Sequence, residues 1–218
     1  MTVRRRQRAL ARGKQWAVRL GESAFNVVAV GPLRRLRTHP RLNRLRVRWH
    51  SAMDVACTLA DVLHILDVLE RAGAPAWLGG GWGVDALVGH QTRRHSDLDL
   101  IIRAEDLERI FGVLQEEGFG GRGGGGVPPQ PGEFLVARHV VQDSAGHTVD
   151  LHLVDGLKGP SGDPDSELFT LGRLHGRPVG CLSVEALRTA CRTGLQRNDH
   201  KPEYYLNLRI LDEVASRA

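Results

Sequence analysis

The chain is short of aromatics, cysteines, long apolar runs and, over its first fifty residues, acids. Aromatic side chains supply only 5% of 218 residues against 26 glycines, so stretches of backbone must turn tightly or stay loose. Three cysteines, Cys57, Cys181 and Cys191, are odd in number and lack CxxC spacing, which excludes a disulfide framework and a structural zinc site. Near the start, the longest uncharged stretch runs only from Ser23 to Leu33 and holds Gly31 and Pro32, too little to span a bilayer. The Arg-rich start has no clean apolar segment of the signal-peptide kind. These shortages predict a soluble, cytoplasmic protein with no membrane partner. With 41% hydrophobic and 25% charged residues, the chain still has the means to bury a core.

The shortage of acids is local. Residues 1–50 carry 14 Lys and Arg against the single acid Glu22, a charge of +13; the other 16 bases face 24 acids, leaving −8. This division predicts a basic N-terminal extension, residues 1–50, joined to a body spanning residues 51–218. In the extension, Leu33, Leu36, Leu42 and Leu45 lie among arginines in basic amphipathic stretches broken by Pro32 and Pro40. A polyanion such as RNA is one partner for this arm, and a solvated extension is the plainer reading. The acidic body instead suits a cationic small molecule.

In the body, Val55, Leu59, Val62, Leu63, Leu66 and Leu69 recur at helical spacing up to Gly73. Ala76-Trp77-Leu78 reads as a strand running into three glycines, with a helix over Trp82–Val88 after them. Leu98–Ile102 is the next strand, and Glu105 and Asp106 open a helix reaching about Glu117. The segment Gly118–Gly126 has seven glycines in nine residues without a P-loop ending, and reads as a flexible connector. Strands over Glu133–Val141 and Thr148–Val154 join through Ser144-Ala145-Gly146, and a smaller hairpin covers Leu171–Val179. Ser183 caps the first of the C-terminal helices, and Lys201–Ser216 is the last. The order predicts an α+β (or α/β) fold: a small mixed β-sheet flanked by helices, with C-terminal helices from about 183.

The chemistry concentrates in two strands. Strand alternation puts Asp97 and Asp99 on one face and Leu98 and Leu100 on the other. Two like charges side by side do nothing for stability alone, whereas a divalent cation holding a substrate's phosphates needs such oxygens. An exposed edge strand with two solvated acids gives the same pattern. Upstream, the glycine turn at a helix start offers backbone N–H groups to phosphate. Thr92-Arg93-Arg94-His95 places cationic donors just before the acids, for phosphate charge or for ordinary salt bridges. Asp150, between Val149 and Leu151, is a third carboxylate that a neighbouring strand can present. His152 shares its face and reads as a neutral, hydrogen-bonded histidine, or as a contact to nucleotide or pyrophosphate. Trp77 and Trp82 read as core, with Trp82 close enough to the glycines to wall a nucleotide site.

The run Gly79–Leu100, GGGWGVDALVGHQTRRHSDLDL, resembles the aminoglycoside 2″-adenylyltransferase and lincosamide nucleotidyltransferase family, minimal members of the DNA polymerase β-like nucleotidyltransferase superfamily. The shared pattern falls on Gly80, Gly81, Trp82, Asp85, Thr92, Arg93, His95, Asp97 and Asp99. The resemblance implies a nucleotidyltransferase fold and an Mg²⁺-dependent transfer of a nucleoside monophosphate, AMP from ATP or from another NTP its counterpart, to a small-molecule hydroxyl. An aminoglycoside-like antibiotic is the favoured acceptor, and pyrophosphate leaves. It implies that Asp97 and Asp99 hold two Mg²⁺ ions and that Asp150 is either a third metal ligand or the general base. Gly80, Gly81, Trp82, Thr92, Arg94 and His95 form the nucleotide side, and Asp85 on the short helix is assigned a structural role. Relatives of this kind lack a fifty-residue basic extension and carry a Gly-Tyr where this chain has Thr193-Gly194-Leu195. Two other functions remain open on the same fold: a toxin that adds nucleotides to tRNA, which would use the basic arm, and a catalytically silent nucleotide-binding protein.

Overall fold

The computed structural model describes residues 56–124, 135–154, 167–196 and 201–217; the basic segment 1–50 lies outside them. The elements below belong to one unit, Cys57–Asp143 with Thr148–Ala218. Helix α1 (Leu59–Arg71) starts where Thr58 and Asp61 cap each other, Thr58 N–H donating to Asp61 Oδ2 at 2.8 Å and Asp61 N–H to Thr58 Oγ1 at 3.3 Å. It turns its apolar stripe, Val62, Ile65 and Leu69, into the core. Strand β1 (Trp77–Leu78) leads at once into helix α2 (Gly80–Val88). Strand β2 (Asp97–Arg103) passes through one 3₁₀ turn (Ala104–Asp106) into helix α3 (Leu107–Glu116). Strands β3 (Gly120–Gly124), β4 (Leu135–Gln142) and β5 (Thr148–Val154) follow, and then the hairpin β6 (Phe169–Leu174) and β7 (Arg177–Leu182). Helix α4 (Val184–Gln196) accepts its cap from Ser183, whose Oγ lies 3.2 Å from the Ala186 N–H, and α5 (Pro202–Ala215) places proline at its start.

The seven strands form one mixed sheet in the order β3-β4-β5-β2-β1-β7-β6. Two neighbouring pairs are parallel, β2 with β5 and β1 with β7; the others are antiparallel. The expected mixed sheet is therefore present, larger than the sequence suggests. One expectation is corrected. The glycine run does not serve only as a connector: Gly120–Gly124 is an edge strand paired with β4, Gly120 opposite Gln142 and Gly121 opposite Val141. Glycine has little strand preference of its own, so this strand is imposed by its partner. Gly125 and Gly126 lie outside the described residues.

Alternation along β2 and β5 decides what each face of the sheet becomes. Leu98, Leu100 and Ile102, with Val149, Leu151 and Leu153, are buried against α1 and α3, together with Ile110 and Leu114. The opposite face is divided. Its far half, Ile101 and Val154, is buried with Val84, Leu182, Leu187 and Leu211 from α2, β7, α4 and α5. Its near half carries Asp97, Asp99, Asp150 and His152. Burying about two methylene groups there would stabilise the fold by roughly 1.5 kcal/mol, so leaving these positions polar is a cost that packing does not explain. All three cysteines are free and buried, and burial pushes the thiols up to about 12 for Cys57 and about 11 for Cys181 and Cys191. They are neutral core groups rather than nucleophiles or metal ligands. Among the described residues no helix is long and apolar enough to cross a membrane.

Candidate active site

The site is built on the parallel pairing of β2 with β5. Register sets Asp99 directly opposite Asp150 and Asp97 opposite Thr148, so two carboxylates distant in sequence share one face at adjoining strands. Oxygen atoms of Asp99 and Asp150 and a ring nitrogen of His152 all lie within 4.8 Å of one another. Two of the three expected carboxylates, Asp99 and Asp150, are in this cluster. Asp97 is on the same strand, with its Oδ1 3.4 Å from the Ser96 hydroxyl, but the tight cluster consists of two carboxylates and a histidine.

Two basic side chains hold the carboxylates together. His152 Nε2 donates to Asp99 Oδ1 at 2.9 Å and lies 3.8 Å from Asp150 Oδ1. Arg138, opposite His152 in the β4–β5 register, reaches Asp150 with Nε, 2.7 Å from Oδ1 and 2.9 Å from Oδ2, and with Nη2 on Oδ2. Burial works to raise the Asp99 pKa, but the hydrogen bond and charge of His152, helped by Lys201 and Arg138, hold it below the usual carboxylate range. For His152 burial opposes protonation, and the bond to Asp99 with the charges of Asp99 and Asp150 outweighs it, raising the imidazole pKa. His152 is thus hydrogen-bonded as expected, and its carboxylate neighbours favour its protonation.

The glycine turn packs against this cluster more tightly than a phosphate cradle alone would require. Gly80 has φ +51°, and a Cβ there would stand 1.8 Å from Asp99 Oδ2. A Cβ on Gly81 would meet His95 Nδ1 at 2.3 Å. The two glycines let the start of α2 touch the side chains of Asp99 and His95, and the Gly79 N–H donates to the Asp99 carbonyl at 2.9 Å.

Beneath the turn sits Asp85, wholly buried. Its Oδ1 accepts from the Thr92 backbone N–H at 3.1 Å and the Thr92 hydroxyl at 2.5 Å, and its Oδ2 accepts from His95 Nε2 at 2.5 Å. This arrangement agrees with the structural assignment of Asp85. It also shows how Thr92 and His95 use their polar groups: both are bonded to Asp85, and His95 is 2% exposed. Trp82 is 1% exposed and packs on the His95 ring with centroids 4.5 Å apart. Trp82 and His95 therefore face inward and fix the turn. Arg94 is exposed, and its carbonyl accepts from Arg93 Nη1 at 3.1 Å. Removing Asp85 takes the acceptor from three donors, the buried His95 ring N–H and the half-buried Thr92 N–H and hydroxyl. Asp85→Ala is expected to destabilise the protein by about 3 kcal/mol, read from urea unfolding, and Asp85→Asn by less. A loss under about 0.5 kcal/mol for the alanine variant would refute this role.

Sequence reasoning missed Arg138 and Lys201. Nothing local marks either: Arg138 is significant only because the β4–β5 register carries it to Asp150, and Lys201 because the start of α5 falls near enough to act on Asp99.

Paired carboxylates on adjacent central strands, beside a glycine turn that opens a helix, are the layout of a nucleotidyltransferase. Known structures agree at the level of fold. A lincosamide antibiotic adenylyltransferase, LnuA, solved with lincomycin bound, superposes with a TM-score of 0.56 at 22% identity, covering 73% of this chain and 99% of its own. ANT(2″)-Ia, in complex with adenylyl-2″-tobramycin, gives 0.52 at 20% identity, covering 71% of this chain and 91% of its own. The family model for aminoglycoside-2″-adenylyltransferase matches residues 61–204, and the chain belongs to that family. Among curated proteins, a lincosamide resistance protein of Staphylococcus haemolyticus is 37% identical over 62 residues, which are 28% of this chain and 38% of that protein. A 2″-aminoglycoside nucleotidyltransferase of Escherichia coli is 39% identical over 61 residues, 26% of this chain and 34% of that protein. The matched segment spans little more than a third of these relatives.

Proposed function

We propose that this protein is an Mg²⁺-dependent nucleotidyltransferase that moves a nucleoside monophosphate, AMP from ATP in the first instance, to a hydroxyl of a small antibiotic of the aminoglycoside or lincosamide kind, releasing pyrophosphate. The observation that carries the proposal is the register of Asp99 opposite Asp150 on parallel strands, on a part of the sheet face that carries polar side chains where its continuation is apolar core. Family membership and the antibiotic acceptors of the relatives support the same reading.

The donor set fits a hard divalent cation. Asp99 and Asp150 offer carboxylate oxygens at short range, with Asp97 on the same face, and the pair is already balanced by positive charge from His152 and Arg138. Bound there, Mg²⁺ would supply charge neutralisation at the triphosphate and activation of the acceptor hydroxyl. The protein supplies the rest. The N–H groups at the start of α2, with the helix dipole, favour the phosphates at Gly80 and Gly81. Asp85 holds Thr92 and His95, and so fixes the loop that delivers Asp97 and Asp99. Asp150, as metal ligand or as the base on the acceptor hydroxyl, lies within 4.8 Å of the Asp99 oxygen it must act beside. His152, bonded to Asp99, and Lys201, whose charge acts on Asp99, would offset charge that builds on the leaving pyrophosphate.

The test is transfer of label from ATP labelled at the α-phosphate, with Mg²⁺, into a panel of aminoglycosides and lincosamides and, separately, into total tRNA. Label in a small molecule, abolished by EDTA, is the expected result. Label in tRNA would overturn the acceptor, and label in neither pool with any of the four NTPs would overturn the activity.

A further inference from the structure

The ion pair of Arg138 with Asp150 stands in the way of the use just proposed for Asp150. Asp150 is 3% exposed by its side chain, and Arg138 engages both of its oxygens through two nitrogens. A carboxylate gripped side-on by a guanidinium has little lone-pair capacity left, and a divalent ion arriving at the same oxygens meets a fixed positive charge as well. Arg138 is not buried with its partner: its side chain is 46% exposed, so it can swing into open solvent while Asp150 stays in place. It also approaches from β4, on the side of β5 away from β2 and the glycine turn. Release would therefore free the Asp150 oxygens and set the guanidinium on the β4 side, leaving His152 Nε2 as the neighbour of both carboxylates, 2.9 Å from Asp99 Oδ1 and 3.8 Å from Asp150 Oδ1.

We propose that Arg138 is a positioning residue that competes with the divalent cation for Asp150, so that Asp150 joins Asp99 as a ligand only after the guanidinium lets go. This rests on the nucleotidyltransferase reading of the site. Arg138 thereby keeps the carboxylate cluster compact and charge-balanced in the free protein, and raises the concentration at which the cation alone can load. It does so without belonging to the nucleotide side.

The experiment is titration of the full-length protein with Mn²⁺ alone, followed by the electron paramagnetic resonance of free Mn²⁺, for the native protein, Arg138→Gln, Arg138→Lys and Asp99→Asn. Arg138→Gln is expected to bind Mn²⁺ about tenfold more tightly than the native protein, because a fixed like charge and a competing donor are both removed. Arg138→Lys, which keeps the charge but loses the side-on grip, should fall between them, and it remains informative if the glutamine variant does not fold. The Mn²⁺-induced rise in Tm should be larger in Arg138→Gln than in the native protein, since its buried Asp150 has then lost its closest counter-charge and keeps only His152 at 3.8 Å. Unchanged or weaker binding in both Arg138 variants, with binding still lost in Asp99→Asn, would overturn the competition and make Asp150 the structural partner of Arg138, leaving the nucleotidyltransferase reading intact. No Asp99-dependent binding in any variant would overturn both.

Discussion

Asp99→Asn is expected to lower kcat/KM for nucleotidyl transfer by at least about a thousandfold while leaving the fold in place. The substitution keeps the size of the side chain and an Oδ1 acceptor for His152, so the 2.9 Å hydrogen bond that ties β2 to β5 can persist. What it removes is one of the two charges that face each other across the parallel pair, and with it the main reason for a divalent ion to bind there. His152 loses its strongest counter-charge at the same time, so its raised pKa should fall back toward that of free imidazole. The sign follows from the cause: the Asp99 charge favours the protonated ring, and without it the ring titrates at lower pH. Steady-state kinetics with labelled nucleotide, beside an NMR titration of the His152 ring, would measure both. Activity within tenfold of native, in a variant that folds, would remove Asp99 from the chemistry.

The second large effect is expected at Gly80. A methyl group there would be 1.8 Å from Asp99 Oδ2 and 2.7 Å from its Cγ, on a residue whose φ is +51°. Asp99 can relieve the clash only by turning its carboxylate away, which breaks its bond to His152. Otherwise the turn must move, which shifts the start of α2. Gly80→Ala should therefore lose transfer by about a hundredfold or more, and stability by about 1–2 kcal/mol from the left-handed backbone alone. Gly89 separates the two contributions. It also has a left-handed φ, +95°, but a Cβ there meets nothing within 4 Å. Gly89→Ala should lose comparable stability and keep its turnover. Equal losses of activity in the two variants would show that backbone strain, and not the approach to Asp99, is what matters.

The parts of this site that the sequence discloses are those a strand or a helix end makes local. Asp97 and Asp99 fall on one face because alternation has no other outcome for Asp-Leu-Asp-Leu, and Asp150 is suggested by the same rule applied to Val-Asp-Leu-His-Leu. A structural role for Asp85 is legible from its place on a short apolar helix, but its partners are not: Thr92 and His95 are brought to it by the loop, where the sequence suggests a cap or an arginine. Arg138 is not legible. Its side chain matters through an antiparallel register set by the whole of β4 and β5, and an arginine in a strand otherwise reads as surface. The protonation bias of His152 is hidden for the same reason, because it depends on Asp99 from another strand. The edge strand at Gly120–Gly124 is the plainest failure of local reading: five residues with four glycines state no preference, and β4 decides for them. The basic extension, legible as charge alone, lies outside the described residues.

The parallel pairing that sets Asp99 beside Asp150 also bears on how the molecule comes into being. Parallel neighbours cannot close through a tight turn, and here about fifty residues, including α3, β3 and β4, intervene between the two acids. That long excursion makes the cluster a late, high-contact-order event, assembled with the centre of the sheet and not before it. A nascent chain ending before β5 carries the Asp-Leu-Asp segment and the glycine turn but no facing carboxylate. On the proposed function, cation affinity should accordingly appear in one step with global folding, and a divalent ion would act on the newly made protein as a pharmacological chaperone that rewards only the finished sheet.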